Sequence, residues 1–430
     1  MRRILYSSIP VGVPVPANLY TGDGRIFLRA GRTVLERHLS VGRVLFKAGL
    51  FVDDQWPLEP YAVEPSSKQD GASAPIFHDR WVLRGRGEIT VESPTTTRLD
   101  EAICHGDFAA EMPTAAARSI VDPPFCLAEL REQLVVGRQR LQTSVDQYAE
   151  VAGDIVEQRI TDLGPGRDNL DQTMDLIGTD RSLGLLAMEL KQTPEEYLYH
   201  HGVNVATLTM TMARHLGFRP AQAMEAGIGA MFHDAGMLKV PVSVRLADRP
   251  LTTDEWLEVK QHPIHTVNAL ESIRSVSLTT LMVAYQIHER CDGSGYPRGR
   301  TRPAIHPLAR VAAVADTYVA WCSWRPHRAA LTPYRSIVKL LAEIREQRFD
   351  PDIVRALLDC VALCPVGSYV KLSNGQTARV MRSNGTQHTR PIVVPLREDG
   401  AESDQVFDLA RDEWIRIVAA VEGPPNAKAA

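Results

Sequence analysis

Phe232-His233-Asp234-Ala235-Gly236 constrains this chain more than any other stretch. Small and apolar residues lead into it (Ala226, Gly227, Ile228, Gly229, Ala230, Met231), so the approach reads as a buried helix. A glycine stops the pattern just after an imidazole and a carboxylate have left the same turn. That pair suits a metal centre, because it joins one nitrogen ligand to one carboxylate able to bridge. An ordinary helix end can carry such a pair too. What sets this one apart is its company: His201 upstream, His262 downstream, and Ile287-His288-Glu289-Arg290-Cys291-Asp292-Gly293-Ser294-Gly295-Tyr296-Pro297.

The chain has 430 residues, enough for two or three domains. An apolar content of 44% and a charged content of 23% describe a soluble globular protein. A net charge of −4 gives no basic field for a nucleic acid polymer. The six cysteines include no Cys-x-x-Cys pair, so a zinc ribbon is not expected and reduced thiols in a cytoplasm are. Arg2 and Arg3 are followed by Pro10, Pro14 and Pro16, which is neither a signal peptide nor a membrane span.

Residues 1–60 read as an accessory α+β module. It has a hairpin around Thr21-Gly22-Asp23-Gly24, a helix over Arg32 to Lys47 and a strand over Gly49–Val52. Residues 61–125 read as linker with a strand or two near 80–83 and 88–91. The helical region runs over 126–363. Its pattern predicts a helix over Leu127–Glu157, a break at Gly164-Pro165-Gly166, and helices over 170–177 and 182–190. Thr193-Pro194-Glu195-Glu196 predicts a helix start. Residues 364–421 alternate as strands of a small β module with a hairpin turn at Ser373-Asn374-Gly375-Gln376, and 422–430 are tail.

Within the helical region, His200 and His201 lie roughly 100° apart on one helix, so one of the two is the candidate ligand. A helix begun at Thr252-Thr253-Asp254-Glu255 ends at His262-Pro263. Thr279 to Glu289 carries His288 at its end. Asp316 stands almost alone in the apolar run Leu308 to Trp321, where a buried carboxylate must be paired or metal-bound. Histidine with carboxylate and no cysteine suits Fe, Mn or Zn in a hydrolytic two-metal centre. Taken singly, each of these histidines has an ordinary structural reading.

Residues 195–360 resemble the HD-GYP family of metal-dependent phosphohydrolases. The resemblance rests on Tyr197-Leu198-Tyr199-His200-His201-Gly202-Val203-Asn204-Val205, His233-Asp234-Ala235-Gly236, Gln261-His262-Pro263, and His288-Glu289-Arg290 followed by Asp292-Gly293-Ser294-Gly295-Tyr296-Pro297. Arg310-Val311, Ala315-Asp316 and Arg325-Pro326-His327-Arg328 extend it. It implies a mainly α fold, a multi-helix HD-type domain between a small N-terminal α+β module and a small C-terminal β module. It implies two divalent metal ions, Fe or Mn first, held by His201, His233, Asp234, His262, His288 and Asp316. His233 and Asp234 would be the catalytic pair. Arg325, Arg328, Lys239 and Arg310 would meet substrate phosphate, and planar guanidinium forks suit that role. The motif loop of Asp292, Gly293, Gly295, Tyr296 and Pro297 would shape the pocket or meet signalling proteins.

The implied activity is hydrolysis of cyclic di-GMP to linear pGpG, and on to GMP if that product is retained. Two alternatives accompany it: a degenerate relative that binds the nucleotide or a partner protein without turnover, and a phosphohydrolase of another cyclic dinucleotide or phosphate ester. No membrane partner is expected, and an oligomer is compatible with the sequence. Four positions depart from the family pattern. Ile287 replaces a histidine, Met237 a lysine and Val319 a second acid, and Tyr197 stands where some members carry a glutamate.

Overall fold

The computed structural model describes residues 2–4, 15, 19–21, 26–28, 34, 50–52, 63–64, 92–106, 111–113, 124–163, 165–187, 196–324 and 329–423. The chain divides into two units, Met1–His78 and Asp79–Ala430.

In the first unit five short strands, β1 (Arg2–Ile4), β2 (Leu19–Thr21), β3 (Ile26–Leu28), β4 (Leu50–Val52) and β5 (Val63–Glu64), form one antiparallel sheet in the order β3-β2-β4-β1-β5. β2 and β3 pair across the expected hairpin, with Leu19 opposite Leu28. The helix expected over Arg32 to Lys47 lies outside the described residues apart from Val34, which is buried. The strands expected near 80–83 and 88–91 also lie outside them.

The first described helix of the second unit lies where the sequence suggested linker. α1 (Pro94–His105) is capped by Ser93, whose Oγ accepts the Thr96 N–H, and Pro94 takes the first turn. Three consecutive threonines hide it from a propensity reading, because β-branched residues disfavour helix. Leu99 and Ile103, one turn apart, are buried and hold it to the core. α2 (Leu127–Val156) is one long helix. The expected break at Gly164-Pro165-Gly166 is instead the start of α3 (Pro165–Thr179), since proline fits a first helical turn. α4 (Arg181–Ala187) follows, and the helix start at Thr193 falls outside the described residues except for Glu196.

The domain core is built from α5 (Tyr197–His215), α6 (Pro220–Phe232), α9 (His262–Leu270), α10 (Leu278–Gln286) and α11 (Pro307–Cys322). α5 packs on α6 and α11, and α6 on α10. Between α6 and α9 lie a 3-10 turn (Ala235–Lys239), α7 (Val242–Arg245) and α8 (Thr253–Val259), whose expected capping box of Thr252 and Glu255 is present. The chain breaks before His262 rather than after it, so this residue opens α9. α12 (Pro333–Arg345), which the sequence pattern did not reveal, and α13 (Pro351–Val361) close the helical part.

The same unit ends in an antiparallel sheet, β6 (Tyr369–Leu372), β7 (Thr377–Arg382), β8 (Ile392–Pro395), β9 (Phe407–Asp408) and β10 (Ile417–Val421), in the order β10-β6-β7-β8-β9. Cys364, Val370, Leu372, Ala378, Val380, Val393 and Leu409 give it a small core of its own. Among the described residues no helix is long and apolar enough to cross a membrane.

Candidate metal centre

Five helices bring six side chains to one point, mostly by their ends. His201 comes from the first turns of α5, and His233 caps the C-terminus of α6 with Asp234 next to it. His262 opens α9, His288 lies just past α10, and Asp316 sits within α11. All six are buried, His201 and His233 completely.

Asp234 is the hub. Its Oδ1 lies 3.1 Å from His262 Nε2, 3.3 Å from His233 Nε2 and 3.5 Å from His288 Nε2, and its Oδ2 lies 3.9 Å from His201 Nε2. Asp316 forms the second corner, with Oδ1 3.0 Å from His201 Nε2 and 3.8 Å from His233 Nε2, and Oδ2 3.4 Å from His288 Nδ1. Two overlapping ligand groups result, His201-His233-Asp316 and His233-Asp234-His288.

The backbone sets how the rings face. His233 Nδ1 lies 2.7 Å from the Ala230 carbonyl and His262 Nδ1 2.6 Å from the Val259 carbonyl, so each donates on that side. Each Nε2 lone pair is thereby turned inward, the tautomer a metal ligand needs. The Nε2 atoms of His233, His262 and His288 are buried at ion-pair range of carboxylates yet have no hydrogen-bond partner. The inward lone pairs of His233 and His262, with His288 beside them and two carboxylates facing all three, fit a divalent cation.

The electrostatics agree. Burial resists charge on His233 and lowers its pKa to about 4, against the pull of Asp234 and Asp316. Burial also opposes ionisation of Asp234, but His233, His262 and His288 hold it well below the usual carboxylate range. His201 and His288 do the same for Asp316 against its burial. The centre therefore presents anionic carboxylates and neutral His233 at neutral pH.

Close backbone packing fixes this geometry. A Cβ on Gly236 would stand 2.2 Å from the His262 carbonyl oxygen, so the turn after Asp234 can reach α9 only without a side chain. Thr266 ties the two segments, accepting the Gly236 N–H and donating to the His233 carbonyl.

His200 faces elsewhere, lining a cavity of about 340 Å³ against α2 with Arg138, Gln142 and Asn204. The geometry thus separates the two adjacent histidines. Tyr197 stacks on His201 at 5.0 Å and 15°. In the motif loop Tyr296 stacks on His288 at 4.9 Å and 20° and stands edge-on to His262 at 6.0 Å. The Tyr296-Pro297 bond is cis. Gly295 lets the loop fold onto its own stem, since a Cβ there would meet the Glu289 Cα at 2.4 Å. Asp292 turns the loop, with its Oδ1 accepting the Ser294 N–H and hydroxyl, and it bridges to Thr301 beyond Gly293 and Pro297.

Of the expected phosphate contacts, Arg325 and Arg328 lie outside the described residues. Lys239 is exposed on the turn after Asp234. Arg310 is described, and its guanidinium is engaged within the protein. Its NH1 is 2.5 Å from Asp350 Oδ2 and its side chain is largely buried, so it secures α13 rather than facing an open pocket.

Several neighbours of the centre escape a reading of the sequence. Lys260 is half-buried with Nζ 5.8 Å from the Tyr296 ring centroid, and burial lowers its pKa. Tyr148 of α2 is fully buried against Tyr199 and Phe232, its hydroxyl without a hydrogen-bond partner. Glu289 is buried and its carboxylate accepts the Arg298 and Arg300 N–H groups; burial pushes its pKa up to about 7 against those donors. Only Glu289 carried a local signal, as an acid inside an apolar-to-glycine transition.

The HD domain family matches residues 184–353, which include all six side chains. This stretch of the chain is similar to HD domains. An HD domain implies divalent-metal binding, which agrees with the buried His and Asp groups. Over 230 residues the chain is 34% identical to a cyclic di-GMP phosphodiesterase of Pseudomonas aeruginosa, covering 53% of this chain and 55% of that protein. It is 36% identical over 148 residues to a cyclic di-GMP phosphodiesterase response regulator of Xanthomonas campestris pv. campestris, covering 34% and 39%. It is 30% identical over 215 residues to 3'3'-cGAMP-specific phosphodiesterase 3 of Vibrio cholerae, covering 49% and 45%. The chain thus spans about half the length of these curated relatives, or less.

Proposed function

We propose that this chain is a cytoplasmic, metal-dependent phosphodiesterase of the HD-GYP type that hydrolyses cyclic di-GMP to pGpG. The observation that carries the reading is the convergence of four buried imidazoles on the Asp234 and Asp316 carboxylates. His201, His233, Asp234 and Asp316 would hold one ion, and Asp234, His262 and His288 the other, with Asp234 shared. A nitrogen- and oxygen-rich set favours Fe or Mn. When bound, such a pair activates water near neutral pH and neutralises charge building on a phosphate.

The chain's own residues do the remaining work. Asp234 and Asp316 stay ionised, and the Ala230 and Val259 carbonyls keep His233 and His262 in the inward tautomer. Tyr296 walls the His262 and His288 side of the pocket. Lys260 supplies a cation on that side, and Lys239, Arg325 and Arg328 would add to it.

The test is turnover by the purified chain reconstituted with Mn or Fe, with products separated by chromatography. pGpG from cyclic di-GMP supports the reading. The relative named for 3'3'-cGAMP makes that dinucleotide the necessary second substrate in the panel. Preference for it would revise the substrate, and tight cyclic di-GMP binding with no product from any dinucleotide would replace the enzyme by a sensor.

A further inference from the structure

The motif loop is gripped by a helix that lies outside the HD domain match. Asp100 of α1 receives Arg298 Nε at 3.0 Å, Arg300 NH2 at 2.5 Å and the Tyr285 hydroxyl at 3.1 Å. Arg298 Nε also donates to the Tyr285 oxygen at 2.8 Å. The two arginines flank Gly299, directly after Tyr296-Pro297, and their backbone N–H groups are pinned at 2.8 and 2.9 Å to the buried Glu289 carboxylate. Each end of the segment is therefore held twice, from below by Glu289 and from outside by Asp100. Tyr296, which the segment carries, is the ring stacked on His288.

The same helix also grips α9. Ser93 Oγ donates to Asn268 at 2.5 Å, Thr95 donates to Glu271, and Arg98 pairs with Glu271 at 2.8 Å. α9 is the element that begins with His262. One helix thus braces the two elements that present His262 and Tyr296 to the centre.

We propose that α1 is a positioning element of the metal site and that Asp100 is its key residue. By fixing Arg298 and Arg300, Asp100 sets where Tyr296 stands against His288 and His262, and so the wall that a phosphate ester meets. This rests on the reading of the six buried side chains as a metal centre. A purely scaffolding role fits the geometry less well. α1 stays docked without Asp100 through buried Leu99 and Ile103 and its three contacts on α9. Asp100 is instead the carboxylate on which both arginine side chains of the loop converge.

The test compares the full chain with Asp100→Ala and Asp100→Asn, with Arg98→Ala as a control that loosens α1 from α9 but leaves Asp100 in place. Three quantities are read: amide exchange over 292–301, affinity for Mn2+ alone, and kcat and KM for cyclic di-GMP. Losing charge-assisted contacts of this kind changes an equilibrium about 10- to 100-fold. Asp100→Ala should therefore speed exchange over 292–301 by at least about 10-fold while α1 amides stay protected, and weaken Mn2+ binding. At saturating Mn2+, KM should rise more than kcat falls, because the substrate wall moves while all six candidate ligands are still present. Asp100→Asn, which keeps the shape and loses the charge, should fall between.

Wild-type exchange over 292–301 and wild-type Mn2+ affinity in Asp100→Ala would overturn the proposal. A uniform rise in exchange across the whole unit in both Asp100 variants, with Mn2+ affinity unchanged, would overturn it as well. A folded, metal-loaded parent chain that turns over no dinucleotide would defeat the substrate reading instead, and the exchange and metal measurements would still decide the role of Asp100.

Discussion

Asp234→Ala is the most informative single change, because the structure gives each ligand a different reach. Asp234 is within 3.9 Å of all four imidazoles, whereas His262 approaches only Asp234 and His201 lies closest to Asp316. Zinc in peptide sites is held by roughly 10–16 kcal/mol over about four ligands, so one ligand carries about 3 kcal/mol, on the order of 100-fold in affinity. A shared ligand removes that amount from both ions. Asp234→Ala should then lose both metals on purification, whereas His201→Ala and His262→Ala should each keep one. Elemental analysis of the three variants, with circular dichroism to establish folding, gives the stoichiometries, and turnover should be lost in Asp234→Ala. A folded Asp234→Ala protein with the parent's metal content would refute the hub. Equal losses from all three variants would refute the division into two overlapping sites.

Three further outcomes are expected. His306 caps α11 by accepting the Leu308 N–H at Nδ1, and burial with nearby Arg310 lowers its pKa to about 4. The unfolded chain therefore binds the proton first, and stability present above the ordinary pKa near 6.5 is lost as pH falls towards 4, by on the order of 3 kcal/mol. Urea titrations of the parent and His306→Asn, which keeps a capping acceptor, should diverge only in that window. Lys260→Ala should weaken cyclic di-GMP binding about 10-fold in calorimetry with metal content unchanged, and unaltered affinity would place Lys260 outside the substrate contacts. Tyr148→Phe removes a buried hydroxyl that has no hydrogen-bond partner, so thermal stability should hold or rise by up to about 1 kcal/mol; a clear loss would mean that the hydroxyl is satisfied.

The centre was legible in the sequence for a physical reason. Its candidate ligands sit where apolar periodicity stops, at the C-terminus of α6, the start of α9 and the end of α10, and Asp316 interrupts an apolar helix. A polar side chain buried at such a place must find a partner or a ligand, and the family resemblance chose between His200 and His201. What surrounds the centre was not legible. Asp100 meets Arg298 and Arg300 across almost two hundred residues of chain, a pairing that no local pattern encodes. α1 was hidden by its threonines, and Pro165 read as a breaker although it starts a helix. The pairing of Arg310 with Asp350, which lies beyond α12 in sequence, was equally hidden.

The departures from the family pattern bear on whether the centre still works. Ile287 and Val319 are completely buried in the domain core, and Met237 packs with Val240, Val244, Val259 and Trp256. At these places apolar packing stands where the pattern has a polar group, which costs the fold nothing. The candidate ligands remain polar. His233, His262 and His288 each keep a buried Nε2 without a hydrogen-bond partner. An unsatisfied buried polar atom costs on the order of 1–3 kcal/mol, and an apolar replacement would relieve it. In a metal-free chain the compensating interaction would be imidazolium–carboxylate pairing, with His262 and His288 at 3.1 and 3.5 Å from Asp234 Oδ1. A bound cation would meet the same nitrogens and both carboxylates at once. Metal content is therefore the measurement that separates a loaded centre from a vestigial one, and the enzymatic reading depends on it.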